Sequence, residues 1–317
     1  MGGGEGRLLA AGGGRAASAP GASGMREEIP GRRATFWALA LPPSLWLAAF
    51  LLAPLLLMAA ISFRADLRGG ILVPWTPTAV QYEHLAGEGS YWALLALSVA
   101  LAAAVAVVAT VLAYPVAHLL AFRAGPRAGL LLILLLVPFW TSYLLRVMAW
   151  KFMLGSEGVI NSFLGYVGLI SEPLTALLYN RNAVAITLVY VWIPFAALPI
   201  LAALQRVDTR LFEAAADLGS TPLSQLRQVA LPLAMPGILA SFFMVFIPTV
   251  GEYVTPLLVG GSSGSLYGNI IQLFFTQATN YPFGSALSMV MLVTTLALVA
   301  LGLRVVRPEQ LLGRPSE

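Results

Sequence analysis

Acidic residues are scarce in this chain, and two of them stand where chemistry is expected. Glu252 lies in Ile247-Pro248-Thr249-Val250-Gly251-Glu252-Tyr253, at the end of a long apolar run. A carboxylate at the edge of hydrocarbon is costly unless it is paired or hydrated. Glu252 is therefore a candidate for contact with a cationic solute, for a structural ion pair with Arg146 at similar depth, or for contact with an external partner protein. Trp140, Tyr143, Tyr190 and Trp192 lie in or near apolar runs, and Tyr253 adjoins the acid. Their ring faces suit an ammonium group. The same rings equally suit an aromatic belt at a membrane interface. The second acid, Glu213, opens the run Glu213-Ala214-Ala215-Ala216-Asp217-Leu218-Gly219, inside the most polar internal stretch of the chain.

Several chemistries are excluded. There is no cysteine, so disulfides, thiolate metal sites and cysteine nucleophiles are absent. The two histidines, His84 and His118, stand apart, and His118 reads as a hydrogen-bonded packing residue rather than a proton relay. No acids are spaced as a catalytic pair or as metal ligands. The one lysine is Lys151, flanked by Trp150 and Phe152. A phosphate-binding loop needs Gly-Lys followed by Ser or Thr, so any ATP that drives this chain is hydrolysed by another polypeptide. The net charge of +4 comes without a basic patch interleaved with aromatics, which argues against nucleic acid.

The elements that must position these residues are apolar spans. Hydrophobic residues make up 59% of the 317 and charged residues 10%, with a mean hydropathy of +0.84. That composition predicts an all-α, polytopic membrane protein. Six spans are expected over 36–61, 91–122, 128–145, 183–204, 233–250 and 286–303. Residues 1–35 are rich in Gly, Ala and Arg and read as a low-complexity, disordered tail. Met25, before Arg26-Glu27-Glu28, is a second candidate start of translation. Arg32-Arg33 reads as a basic anchor of the first span rather than a twin-arginine signal. Residues 36–305 form the span domain and 306–317 a C-terminal tail. The stretches 146–182 and 260–281 read as loops, the first with partial helix. Most of the 18 basic residues fall on the side that carries both termini; the five opposite are Arg64, Arg68, Arg146, Lys151 and Arg181. That bias predicts cytoplasmic termini.

The same rule puts Thr209–Pro232 in the cytoplasm. Asp208 or Thr209 can cap a first helix, the alanines favour it, and Gly219 can stop it in a left-handed conformation. Ser220 or Thr221 can cap a second helix with Pro222 at its first position. Leu231-Pro232 then enters the next apolar run. On the residues alone, the first helix is equally an amphipathic surface helix with a solvated Glu213.

The spacing within the hairpin narrows this. Glu213-Ala214-Ala215, three residues, Gly219, nine residues, then Val229-x-Leu231-Pro232 resembles the EAA loop of bacterial ABC importer permeases, the binding-protein-dependent transport system inner-membrane components. Ile is commoner there where this chain has Val229. The stretches 137–146, 158–161, 247–253 and 281–286 look like the first permease subunit of putrescine/spermidine importers, and the likeness covers roughly residues 36–305. The resemblance implies the type I ABC importer permease fold. It also implies docking of Glu213, Ala214, Ala215, Asp217 and Gly219 on a separate ATPase. The implied partners are two copies of that ATPase, which binds ATP and Mg, a second permease subunit, and an external or periplasmic solute-binding protein. The chain itself would hold no cofactor and would not be an enzyme. A small cationic solute, a polyamine, would pass through the plasma membrane by alternating access. Related permeases carry amino acid derivatives, thiamine, iron or anions. Two alternatives remain: an ion-driven secondary transporter, which would need several intramembrane acids, and a non-transporting membrane scaffold, against which the EAA loop argues.

Overall fold

A computed structural model describes residues 32–65, 76–174, 177 and 179–305. The expected tails, residues 1–35 and 306–317, lie largely outside these, as do Asp66 and Arg68. The described chain is helical throughout, in twelve α-helices: α1 Arg32–Ser62, α2 Val80–Gly87, α3 Gly89–His118, α4 Ala128–Leu136, α5 Tyr143–Leu154, α6 Val159–Tyr166, α7 Arg181–Leu204, α8 Arg210–Asp217, α9 Pro222–Gln225, α10 Leu231–Val250, α11 Tyr267–Thr276 and α12 Tyr281–Val305. The chain divides into two units after Ala53. In the first, the described residues are the front of α1. Everything below concerns the second.

Its centre is α3, α7 and α10, each packed on the other two. Membrane helices gain little from hydrophobic exclusion, so they associate by close backbone approach and buried hydrogen bonds. The sequence supplies both. Ala102, Ala106, Ala109, Ala113 and Ala117 recur every three or four residues along α3 and are fully buried. Where α10 crosses α7, a Cβ on Gly237 would lie 2.5 Å from the Pro199 carbonyl and 2.6 Å from Ala203 Cβ. Thr110 and Ser241 join α3 to α10 through their hydroxyls at 3.2 Å. A second cluster of Leu85, Leu95, Tyr267, Phe283 and Leu287 holds α2, α11 and α12 on the outer part of α3, and the Tyr267 N–H donates to Ser98 Oγ at 2.8 Å.

Among the described residues, five helical stretches are long and apolar enough to span a bilayer: Phe36–Ser62, Gly89–Arg123, Arg181–Leu204, Pro222–Val250 and Tyr281–Arg304. Gly125–Trp140 and Tyr143–Tyr166 make a sixth if taken together, but they meet at 88°. The span expected over 128–145 is thus interrupted near its end. Pro138 sits in a tight 3₁₀ turn, and Thr141 and Ser142 are extended, with ψ of 151° and 139°; the apolar residues on either side hide the break. A second correction concerns 260–281, read as loop, which contains α11. The hairpin also differs in detail. Its second helix does not end at Leu231-Pro232 but runs on from Pro222 to Val250. A π-turn at Leu226–Ala230 absorbs the mismatch just before Pro232.

Candidate functional site

The hairpin folds as its residues dictate. Asp208 Oδ1 accepts from the Arg210 N–H at 2.9 Å at the start of α8. At its end, Gly219 has φ of 81°. The Gly219 N–H reaches the Ala216 carbonyl at 2.8 Å and the Ser220 N–H reaches the Ala215 carbonyl at 3.0 Å. These are the paired bonds of a Schellman stop. Thr221 Oγ1 then accepts from the Ser224 N–H and caps the next helix with Pro222 in its first turn. Gln225 Nε2 donates to the carbonyls of Phe212 and Ser220, both at 3.4 Å, and ties the two arms together.

This closure sorts the faces of α8. Phe212 and Ala215 are half-buried, and the Phe212 ring meets Phe122 edge-on at 5.1 Å. Phe122 lies in a π-turn, Leu119–Arg123, that extends α3, so the hairpin is seated on the end of α3. Glu213, Ala214, Asp217, Leu218 and Gly219 face out. Leu218 is 88% exposed and Leu211 47%. With Ala214 they form an apolar stripe at helical spacing, flanked by carboxylates that have no side-chain partner among the described residues. A helix that holds its own shape while exposing such a stripe is built to be covered.

The second candidate region is a junction of two breaks. After Val250, α10 stops at Gly251, and a short helical turn resumes at Val254 and continues through Pro256–Gly260. Glu252 makes that restart: its Oε1 accepts the N–H groups of Val254 and Thr255 at 2.9 and 3.0 Å. A carboxylate at a helix start satisfies donors that would otherwise have no acceptor. Across from it is the start of α5, just past the 88° bend, where the Tyr143 hydroxyl hydrogen-bonds Thr255 Oγ1 at 2.6 Å. The two breaks are thus joined. From α11, Asn269 accepts the Leu266 N–H at 3.0 Å and donates to the Tyr253 carbonyl at 2.8 Å. Gly268 lets α11 approach, since a Cβ there would lie 2.8 Å from the Glu252 carbonyl.

The candidate ion pair between Glu252 and Arg146 is absent: no nitrogen–oxygen contact within 4.0 Å joins them. Arg146 instead lies over the Phe139 ring, 4.4 Å from its centroid, with the Tyr143 ring at 5.9 Å. Its Nε and Nη1 are enclosed without an acceptor among the described residues. Phe139 meets Phe195 edge-on at 4.1 Å, and Phe195 meets Trp192 at 5.7 Å. Of the aromatics selected from the sequence, Tyr143 touches the junction directly and Trp192 joins it through Phe195 and Phe139. Tyr253 lies beside Glu252 with 44% of its surface exposed. Tyr190 pairs with Trp150 at 5.1 Å, and Trp140 is 81% exposed; neither shares a ring contact with the cluster. Sequence reasoning missed Phe139, Thr255, Gly268, Asn269 and Phe212. Only Arg146 carried a usable signal, a charge in apolar surroundings.

Comparison with known proteins agrees with this architecture. The profile of the family described as "Binding-protein-dependent transport system inner membrane component" matches residues 32–307. The chain is 42% identical over 159 residues to the spermidine/putrescine transport system permease protein PotB of Haemophilus influenzae, covering 50% of this chain and 55% of that protein. It is 39% identical over 159 residues to PotB of Escherichia coli, covering 50% and 58%. The chain thus spans little more than half the length of these relatives. In fold it is similar to a crystal structure of a bacterial ABC transporter that imports the acidic polysaccharide alginate, with a TM-score of 0.69 over 86% of this chain and 95% of the other at 16% identity. The helical architecture is that of an ABC importer permease, and the chain belongs to the family of binding-protein-dependent transport system inner membrane components.

Proposed function

We propose that this bacterial inner-membrane protein is a permease subunit of an ATP-driven importer of polyamines. The observation that carries the mechanism is the α8 stripe, an exposed apolar face flanked by Glu213 and Asp217, which have no side-chain partner among the described residues, on a hairpin keyed to α3 by Phe212. That face suits an ATPase subunit, one of two copies, which binds ATP and Mg and drives the hairpin. The permease family supplies the membrane part of such systems and hydrolyses no ATP itself. A second permease subunit completes the path, and an external binding protein delivers the solute, as a periplasmic protein does in a solved relative of similar fold. Both termini and the hairpin face the cytoplasm. The polyamine assignment rests on the PotB relatives. It is supported by a junction where an acid and ring faces meet, which suits a flexible chain of ammonium groups.

The test is reconstitution. The chain is placed in proteoliposomes with an ATPase, a second permease subunit and a solute-binding protein from the same organism. ATP-dependent uptake of radiolabelled spermidine is expected. Uptake of a different solute, with none of spermidine or putrescine, would overturn the cargo.

A further inference from the structure

The two charges at the junction are unevenly used. Glu252 spends Oε1 on two backbone N–H groups, and its carboxylate also faces the Tyr143 hydroxyl. Among the described residues, Arg146 leaves two enclosed N–H bonds without an acceptor. The Arg146 guanidinium lies 5.9 Å from the Tyr143 ring, and the Tyr143 hydroxyl is held by Thr255. Burying an unpaired guanidinium is unfavourable, and the Phe139 face offsets only part of that cost. A neutral side chain of the same length would pack there more cheaply. The charge therefore needs a reason other than stability.

We infer that Arg146 is a release element, whose fixed positive charge keeps the hold of Glu252 and the neighbouring rings on a cargo ammonium weak. This rests on the polyamine reading. A path must bind its cargo well enough to admit it and loosely enough to let it go. An acid, two ring faces and enclosure would by themselves trap an ammonium. Arg146 covers one of those faces and opposes the cation across Tyr143. A unit charge at ~10 Å, with an effective dielectric of ~20, changes affinity by roughly tenfold or more. Arg146 would act on release through Glu252, without itself holding the cargo.

The experiment uses the assembled complex of permeases and ATPase in nanodiscs without binding protein, with radiolabelled spermidine as probe. Arg146→Gln should bind spermidine roughly tenfold more tightly than the parent and turn over more slowly in uptake. Arg146→Lys, which keeps the charge, should stay near the parent. Adding Glu252→Gln to Arg146→Gln should abolish the gain. Arg146→Met, whose stem still covers Phe139, is measured in parallel and carries the test if Arg146→Gln does not assemble. No gain in either neutral variant overturns the inference, as does a gain that survives Glu252→Gln. A parent complex that imports no spermidine removes the polyamine reading and this inference with it. Spermidine import by the parent with no gain in the neutral variants removes this inference alone.

Discussion

Glu252 caps a helix restart and is also the acid proposed to meet the cargo. Its Oε1 starts the helical turn after the α10 break, and its charge is the part assigned to the solute in the proposed function. Glu252→Gln keeps an acceptor for the two N–H groups but removes the charge. The variant should insert and assemble, losing no more than about 1–2 kcal/mol of local stability, while ATP-dependent spermidine uptake falls by at least about tenfold. Unchanged uptake would take Glu252 out of the path. The sequence pointed to this residue because an acid at the end of an apolar run is rare. It did not reveal the capping role, which depends on where the helix restarts. An ion pair with Arg146 was one of the alternatives for it, beside contact with a solute. The aromatic face of Phe139 took the guanidinium instead, a choice set by the 88° bend that brings Phe139, Tyr143 and Arg146 together.

Among the elements, those governed by local rules were the ones legible in the sequence. The hairpin's caps, its left-handed Gly219 and its proline-started second arm all follow from neighbours within a few residues. The third span was misread because Leu and Val at 130–137 look alike in a straight and a broken helix. Helix α11 was missed because Gly260, Gly261, Ser262, Ser263 and Gly264 lead into it. Its role depends on close approach to the α10 break. Gly268→Ala would place a Cβ 2.8 Å from the Glu252 carbonyl, and overpacking of this kind costs about 1–3 kcal/mol. Uptake by Gly268→Ala should fall several-fold, whereas Gly129→Ala, whose Cβ would meet nothing within 4 Å, should match the parent. Equal uptake in the two variants would show that α11 does not position the junction.

At the scale of the molecule, the oily composition and charge bias announced a multi-span protein, and the described helices and family membership agree. The arrangement of the spans was not legible, because α3, α7 and α10 are chosen as the centre by alanine and glycine faces rather than by hydropathy. The orientation is open to direct measurement in a chain without cysteine. A membrane-impermeant thiol reagent should label Ser262→Cys from outside and Gln205→Cys only from inside; the reverse pattern would invert the topology.

The central claim is that the hairpin couples this permease to a separate ATPase. It is tested by measuring spermidine imported and ATP hydrolysed by the same proteoliposomes. Glu213→Arg and Gly219→Asp should leave the spans inserted and the ATPase turning over, with import per ATP falling toward zero. Import at the parental ratio in both variants would contradict the account.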